Sequence, residues 1–144
     1  SYIHPLDAVL RRMVARGRGA IVNIIGSGGK VASPVHLPGG AANAALMLAT
    51  AGLAAAFAPK GIRINGINPG ATLTGRVQEG LCAEAKMTGL DAKELLQRMQ
   101  ARIPLGRLGT PEEVAQVALF LASTRASYVT GAIVPMDGAS NPVI

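Results

Sequence analysis

The stretch Ala58-Pro-Lys-Gly-Ile-Arg-Ile-Asn-Gly-Ile-Asn-Pro-Gly70 decides the fold. Pro59, Lys60 and Gly61 close a helix, because proline cannot continue one and glycine suits its stop. Residues 62–67 then read as a strand, and residues 68–74 as the loop that follows it. The helix before this stop, residues 40–58, is apolar nearly all round, with Asn43 and Thr50 as the polar exceptions. Such a helix cannot rest with one face in water. One side covers a sheet; the other needs another helix or another subunit. Upstream, Ala20-Ile-Val-Asn-Ile-Ile25 is a short apolar run bounded by glycines, which predicts a strand buried on both faces. Gly26-Ser-Gly-Gly29 ends it, and residues 30–38 form a loop with two prolines. Leu6, Val9, Leu10, Met13 and Val14 follow the helical spacing i, i+3, i+4, i+7, i+8. Pro5 suits that helix's first turn, and Gly17 and Gly19 stop it.

Downstream, residues 76–86 carry a weak helical pattern. Asp91 predicts an N-cap, with Glu94 three residues on as in a capping box, for a helix running to about Ala101 and halted before Pro104. Thr110-Pro-Glu-Glu113 is the clearest helix start. Thr110 caps, Pro111 takes the first helical position and Glu113 reaches back to the cap N–H. Val114, Val117, Ala118 and Leu121 supply its buried stripe. Residues 131–134 read as a last short strand, with Pro135, which lacks a ladder donor, at an edge or strand end and a turn at Asp137-Gly138. Strands separated by helices call for right-handed crossovers and a parallel sheet. The first strand therefore forms an edge or pairs with something beyond these residues.

Composition narrows the function. At 144 residues the chain is one domain or a piece of one. Hydrophobic residues at 49% and charged residues at 15% exclude intrinsic disorder. A single cysteine, Cys82, excludes a disulfide framework and a cysteine-based zinc site. His4 and His36 show no metal-ligand spacing, so no metal is expected. Aromatic residues at 3%, without Trp, leave no base-stacking platform. The chain is basic, with 14 Lys and Arg against 8 Asp and Glu. Arg11, Arg12, Arg16 and Arg18 cluster on what reads as a solvated helix face and turn. With no nucleic-acid motif beside them, no nucleic-acid partner is expected. The opening residues lack a basic segment followed by an apolar core, so a cytoplasmic location is expected. The most apolar run, residues 44–58, is shorter than the ~20 residues of a spanning helix, so no membrane partner is expected.

Taken together, Asn23-Ile-Ile-Gly-Ser27, Gly39-Gly-Ala-Ala-Asn-Ala-Ala-Leu46, Ala58-Pro-Lys-Gly-Ile-Arg-Ile-Asn65, Asn68-Pro-Gly70, Ile103-Pro-Leu-Gly-Arg-Leu-Gly-Thr-Pro-Glu-Glu-Val114, Tyr128-Val-Thr-Gly131 and Asp137-Gly138 resemble the classical short-chain dehydrogenase/reductase family. The match runs over essentially the whole chain in the family's order and spacing. The resemblance implies an α/β fold, a Rossmann-type doubly wound parallel sheet of which residues 1–144 supply the last three strands and their helices. An upstream half with four more strands is expected, holding the glycine-rich dinucleotide fingerprint. The resemblance further implies NAD or NADP as cofactor and a small carbonyl or alcohol substrate, as in 3-oxoacyl reductases. It also implies a homo-oligomer, dimer or tetramer, built through the first two helices. Pro69 and Gly70 resemble the family's nicotinamide-side loop, which would set Thr72 and Thr74 near the carboxamide and pyrophosphate. The alternative for these threonines is an ordinary strand-to-helix turn with Thr caps. Residues 26–29 read as close backbone packing or a mobile loop beside the site.

The catalytic positions depart from the family. Its mechanism uses a Ser to orient the carbonyl, a Tyr as general acid/base and a Lys four residues later that lowers the Tyr pKa and binds ribose. Aligned on the strand and on Lys60-Gly61, those positions hold Gly26, Gly39 and Asn43. Glycine has no side chain to donate a proton, so the standard mechanism cannot run as written. Ser27, His36 and Asn43 are the candidate substitutes: Ser27 as carbonyl donor, His36 as acid/base and Asn43 as a ribose partner or a helix residue at a subunit contact. Lys30 is a further source of positive charge. Two functions follow: an oxidoreductase with a nonstandard site, or an inactive member kept for ligand binding or assembly.

Overall fold

The computed structural model describes residues 2–31, 34 and 36–142. The chain runs α1 (Ile3–Arg16), β1 (Gly19–Ile24), α2 (Leu37–Phe57), β2 (Ile62–Pro69), α3 (Gly75–Thr88), α4 (Ala92–Ala101), α5 (Pro111–Ala122) and β3 (Ile133–Met136). The strands form one parallel sheet in the order β1-β2-β3. Gly19 pairs with Ile62 and Ile24 with Ile67; Gly66 pairs with Ile133 and Pro69 with Met136.

Alternation along β2 sorts its neighbours. Ile62 and Ile64 point to one face and pack with Leu10 of α1 and Ala54 of α2, fully removed from water. Each such isoleucine contributes about 2–3 kcal/mol of burial. Arg63 points to the other face, where it donates to the Leu121 and Ser123 carbonyls at the end of α5 and to Val129. A guanidinium among the last carbonyls of a helix satisfies groups that have no partner inside it. Asn65, on the same face, donates to the Val129 carbonyl and accepts from Ala132 N–H.

Several expectations need correcting. β1 is not buried on both faces: Asn23 is its one buried residue and Ile24 is 41% exposed. Ile25 N–H donates to Ile67, so Ile24, one residue earlier, turns its carbonyl to the free edge and accepts there from the Tyr2 hydroxyl. α2 starts at Leu37 rather than Gly40, because Pro38 fits a first turn whose N–H groups have no helical partner. β3 begins at Ile133 rather than Gly131. Gly131 sits at φ +77 and Ala132 is held by the Asn65 side chain, so the ladder starts two residues later and takes in Pro135 at an edge. Asp91 caps α4 through Lys93 N–H, but Glu94 pairs with Arg98 instead of closing a capping box. The box at Thr110 and Glu113 is complete.

With the turn that follows it, α2 gives a stretch Leu37–Lys60 whose length and composition would cross a membrane, longer than the run read from sequence. Its place excludes that role. α2 is the crossover between two adjacent hydrogen-bonded parallel strands, and it packs on them through Leu46, Thr50 and Ala54.

Candidate active site

In open α/β sheets the ligand crevice lies beyond the carboxyl ends of the strands. Three segments meet there. The turn Ser27–Gly29 leaves β1, α2 begins at Leu37, and residues 70–74 leave β2. The turn lies directly on α2. A Cβ at Gly29 would stand 2.6 Å from Ala44 N, and one at Gly40 2.9 Å from the Gly28 carbonyl. Gly29 thus serves close backbone packing against α2.

Gly26, at φ +130, faces Asn43: a Cβ there would lie 3.1 Å from Asn43 Nδ2. A Cβ at Gly28 would lie 3.8 Å from the same nitrogen and 3.3 Å from His36 Cδ2. A Cβ at Gly39 would overlap the His36 imidazole, at Nε2 and Cε1. The ring therefore fills the space in which a side chain at residue 39 would begin. His36 lines a cavity of about 310 Å³ with Gly28, Gly29, Lys30, Leu37 and Gly40 among its walls. Of the three candidate substitutes, the structure brings His36 and Asn43 to the same glycines. Ser27 sits half-buried in the turn, and its hydroxyl makes no hydrogen bond among the described residues. Neither tyrosine takes the missing place. Tyr2 is bound at the free edge of β1, and Tyr128 is fully exposed at the other end of the sheet.

The loop after β2 is held from two sides. Gly70 N–H donates to the Met136 carbonyl, and a Cβ on Gly70 would stand 2.7 Å from Asp137 Cβ. Leu73 N–H donates to Gly109, and Gly109 N–H to Ala71. Thr72 Oγ1 donates to the Gly70 carbonyl at 3.1 Å. Thr74 Oγ1 accepts from Val77 N–H at 3.4 Å and caps α3. Both threonines thus have the turn-and-cap contacts of the alternative reading, while the Thr74 O–H remains available as a donor. Asn68, at the end of β2, is buried; its amide donates to Met47 Sδ at 3.5 Å, and its Oδ1 has no partner among the described residues.

Sequence reasoning missed Asn68 and the Arg107–Glu113 pair. Arg107 donates twice to the Glu113 carboxylate, at 3.0 and 2.7 Å. That contact, with the Thr110 N–H, holds the Glu113 pKa down to about 2. The pair lines a smaller cavity of about 150 Å³ with Thr72, Ile103, Met136 and Asp137. A wider groove of about 760 Å³, lined by Arg16, Arg18, Gly19, Ile62 and Tyr128, opens at the strand starts, away from the crevice.

The parallel order β1-β2-β3, with helical crossovers between the strands and a glycine-lined crevice at their carboxyl ends, defines a Rossmann-like α/β domain. The chain belongs to the short-chain dehydrogenase/reductase family; residues 1–140 match the family model described as enoyl-(acyl carrier protein) reductase. It is 36% identical over 136 residues to the Xanthobacter autotrophicus protein named inactive 2-(S)-hydroxypropyl-CoM dehydrogenase 2, covering 94% of this chain and 57% of that one. It is 36% identical over 129 residues to the 3-oxoacyl-[acyl-carrier-protein] reductase of Aquifex aeolicus, covering 90% and 48%. Among solved structures, YwfH, an NADPH-dependent reductase involved in bacilysin biosynthesis, superposes with TM-score 0.90 at 31% identity, covering 99% of this chain and 55% of that one. NAD+-bound xylitol dehydrogenase superposes with TM-score 0.84 at 30% identity, covering 94% and 54%. The chain spans about half the length of the curated relatives it matches.

The residues present fit the nicotinamide half of such a cofactor. At the end of β2 stand a buried acceptor without a partner among the described residues, Asn68 Oδ1, the backbone of Pro69 and Gly70, and two threonine hydroxyls. That set suits an amide and a phosphate.

Proposed function

We propose that this chain is the cofactor-and-substrate side of an NAD- or NADP-dependent oxidoreductase that reduces a small carbonyl compound, of 3-oxoacyl type, or oxidises the matching alcohol. One observation carries the reading. Asn43, His36 and the loop of Pro69, Gly70, Thr72 and Thr74 all lie at the carboxyl ends of β1 and β2, where α/β folds bind ligands. When bound, the nicotinamide would supply or accept the hydride. Pro69, Gly70, Thr72 and Thr74 would hold it, while Asn43, Ser27 and His36 would contact the substrate or ribose.

The test is turnover of the full-length protein with NADH and NADPH on a 3-oxoacyl thioester, followed at 340 nm. Rates above buffer support the reading; none with either cofactor overturns it. The second reading, a ligand-binding or assembly protein without turnover, is favoured by Gly26. At φ +130 its backbone is shaped for glycine rather than for the family's serine. Calorimetric cofactor binding without turnover would select it.

The reading includes a homo-oligomer joined through α1 and α2. It is supported by the exposed apolar side of α2, where Leu48 is 77% exposed among alanines. A cytoplasmic location belongs to the same reading, and fractionation of the source cells tests it.

A further inference from the structure

We infer that the His36 imidazole is the proton donor and acceptor of this site. The inference rests on the oxidoreductase reading above and adds the group that handles the proton. Position 39 has lost its side chain, yet the space is occupied. A Cβ there would overlap His36 Nε2 and Cε1, so the ring sits where the stem of that side chain would run. The ring lies between the turn and the first turn of α2, with a Cβ at Gly28 3.3 Å from Cδ2 and 3.9 Å from Nε2. The Asn43 amide reaches the same turn from farther along α2, next to Gly26 and Gly28. A proton-transferring group and a neutral hydrogen-bond donor thus flank one glycine-lined floor.

Reach decides whether the ring can act. An imidazole in the stem space extends less far than a phenol would. Glycine at 28 and 39 leaves the ring the space that side chains there would take, and the ring borders the cavity of about 310 Å³ in which a carbonyl oxygen can meet Nε2. In reduction, a reduced nicotinamide, when bound, would supply a hydride, with both electrons, to the carbonyl carbon. The π pair of the C=O moves to oxygen, and that oxygen takes one proton from the imidazolium N–H. Neutral imidazole remains and regains its proton from solvent; alcohol oxidation runs the same steps backwards. Histidine suits the role because an imidazole ring nitrogen can both give and take a proton. Among the described residues, Lys30 is the one other titratable side chain lining the cavity. Elsewhere the candidates are engaged or distant: Tyr2 at the strand edge, Tyr128 at the far end, Cys82 exposed on α3.

The experiment compares the full chain with His36→Gln and Gly39→Ala, using acetoacetyl-N-acetylcysteamine with NADH and NADPH. Alanine at residue 39 is a better helix former than glycine, but its methyl group displaces the ring. His36→Gln is expected to lower kcat about 10²-fold or more and to change the pH dependence of the reduction rate. Gly39→Ala is expected to lose activity in the same direction while melting no lower than the parent. Binding of the thioester is expected to shift the His36 Cε1–H proton resonance, assigned by its loss in His36→Gln. No turnover by the parent chain sinks the oxidoreductase reading and this inference with it. Parent turnover with His36→Gln within twofold and an unchanged pH profile overturns the inference alone, as does a His36 resonance that the thioester leaves unmoved.

Discussion

At the scale of single residues, Glu113 has the clearest electrostatic signature. Its carboxylate accepts from Arg107 and from Thr110 N–H, which together hold its pKa down to about 2 from an ordinary 4.5. A depressed folded-state pKa means stability that is complete above pH 4.5 and lost as pH falls toward 2. Glu113→Gln keeps a capping-box residue but removes the ionisation. The variant should therefore melt below the parent at pH 6, and the gap should close between pH 4.5 and 2. A gap independent of pH would show that the ionised carboxylate adds nothing. Gly26 gives a second prediction. Serine there must adopt φ +130 and crowd Asn43, so Gly26→Ser should cost about 1–3 kcal/mol by denaturant midpoint and restore no family activity. That Gly26 and Asn43 lie together was legible from the family resemblance. That His36 folds back over Gly39 was not, because a loop residue three places upstream carries no periodic signal.

At the scale of elements, helices and strands with strong local signals were readable, and their ends were set by partners. Thr110 and Glu113 announce α5 in four residues, and the capping box is there. Asp91 and Glu94 carry the same letters, yet Arg98 one turn on takes the Glu94 carboxylate. β1 reads as doubly buried because its residues are apolar, but burial needs a neighbour on each side, and β1 borders only β2 among the described residues. α2 carries the element-scale prediction. Leu46, Thr50 and Ala54 face the sheet while Leu48 points away. Leu48→Lys should leave the melting temperature within a few degrees and reduce the mass seen by light scattering. An unchanged mass would remove α2 from the proposed subunit contact.

At the scale of the whole molecule, charge is unevenly distributed along the chain. No Asp or Glu lies between Asp7 and Glu79, while Arg11, Arg12, Arg16, Arg18, Lys30, Lys60, Arg63 and Arg76 do. Arg63 is neutralised in part by helix-end carbonyls, and Arg11 by Asp7. The remainder repel one another where they lie within a Debye length, about 30 Å at 0.01 M salt and about 10 Å at 0.1 M. Raising NaCl from 10 to 300 mM should raise the melting temperature by a few degrees, and a flat response would mean that bound partners already screen the charges.

Two helix ends described above also abut. Gly17 and Gly61 both take left-handed backbone, a Cβ on Gly61 would collide with the Gly17 carbonyl oxygen, and Gly19 N–H donates to the Gly61 carbonyl. The two helix-to-strand corners thereby key into each other at the point where β1 and β2 begin to pair. One extra residue at either corner would slide the pairing by a step, and every isoleucine now turned toward α1 and α2 would find its counterpart on the opposite side. Length variation between homologous chains should accordingly be absent from these corners and collect in the segment between β1 and α2.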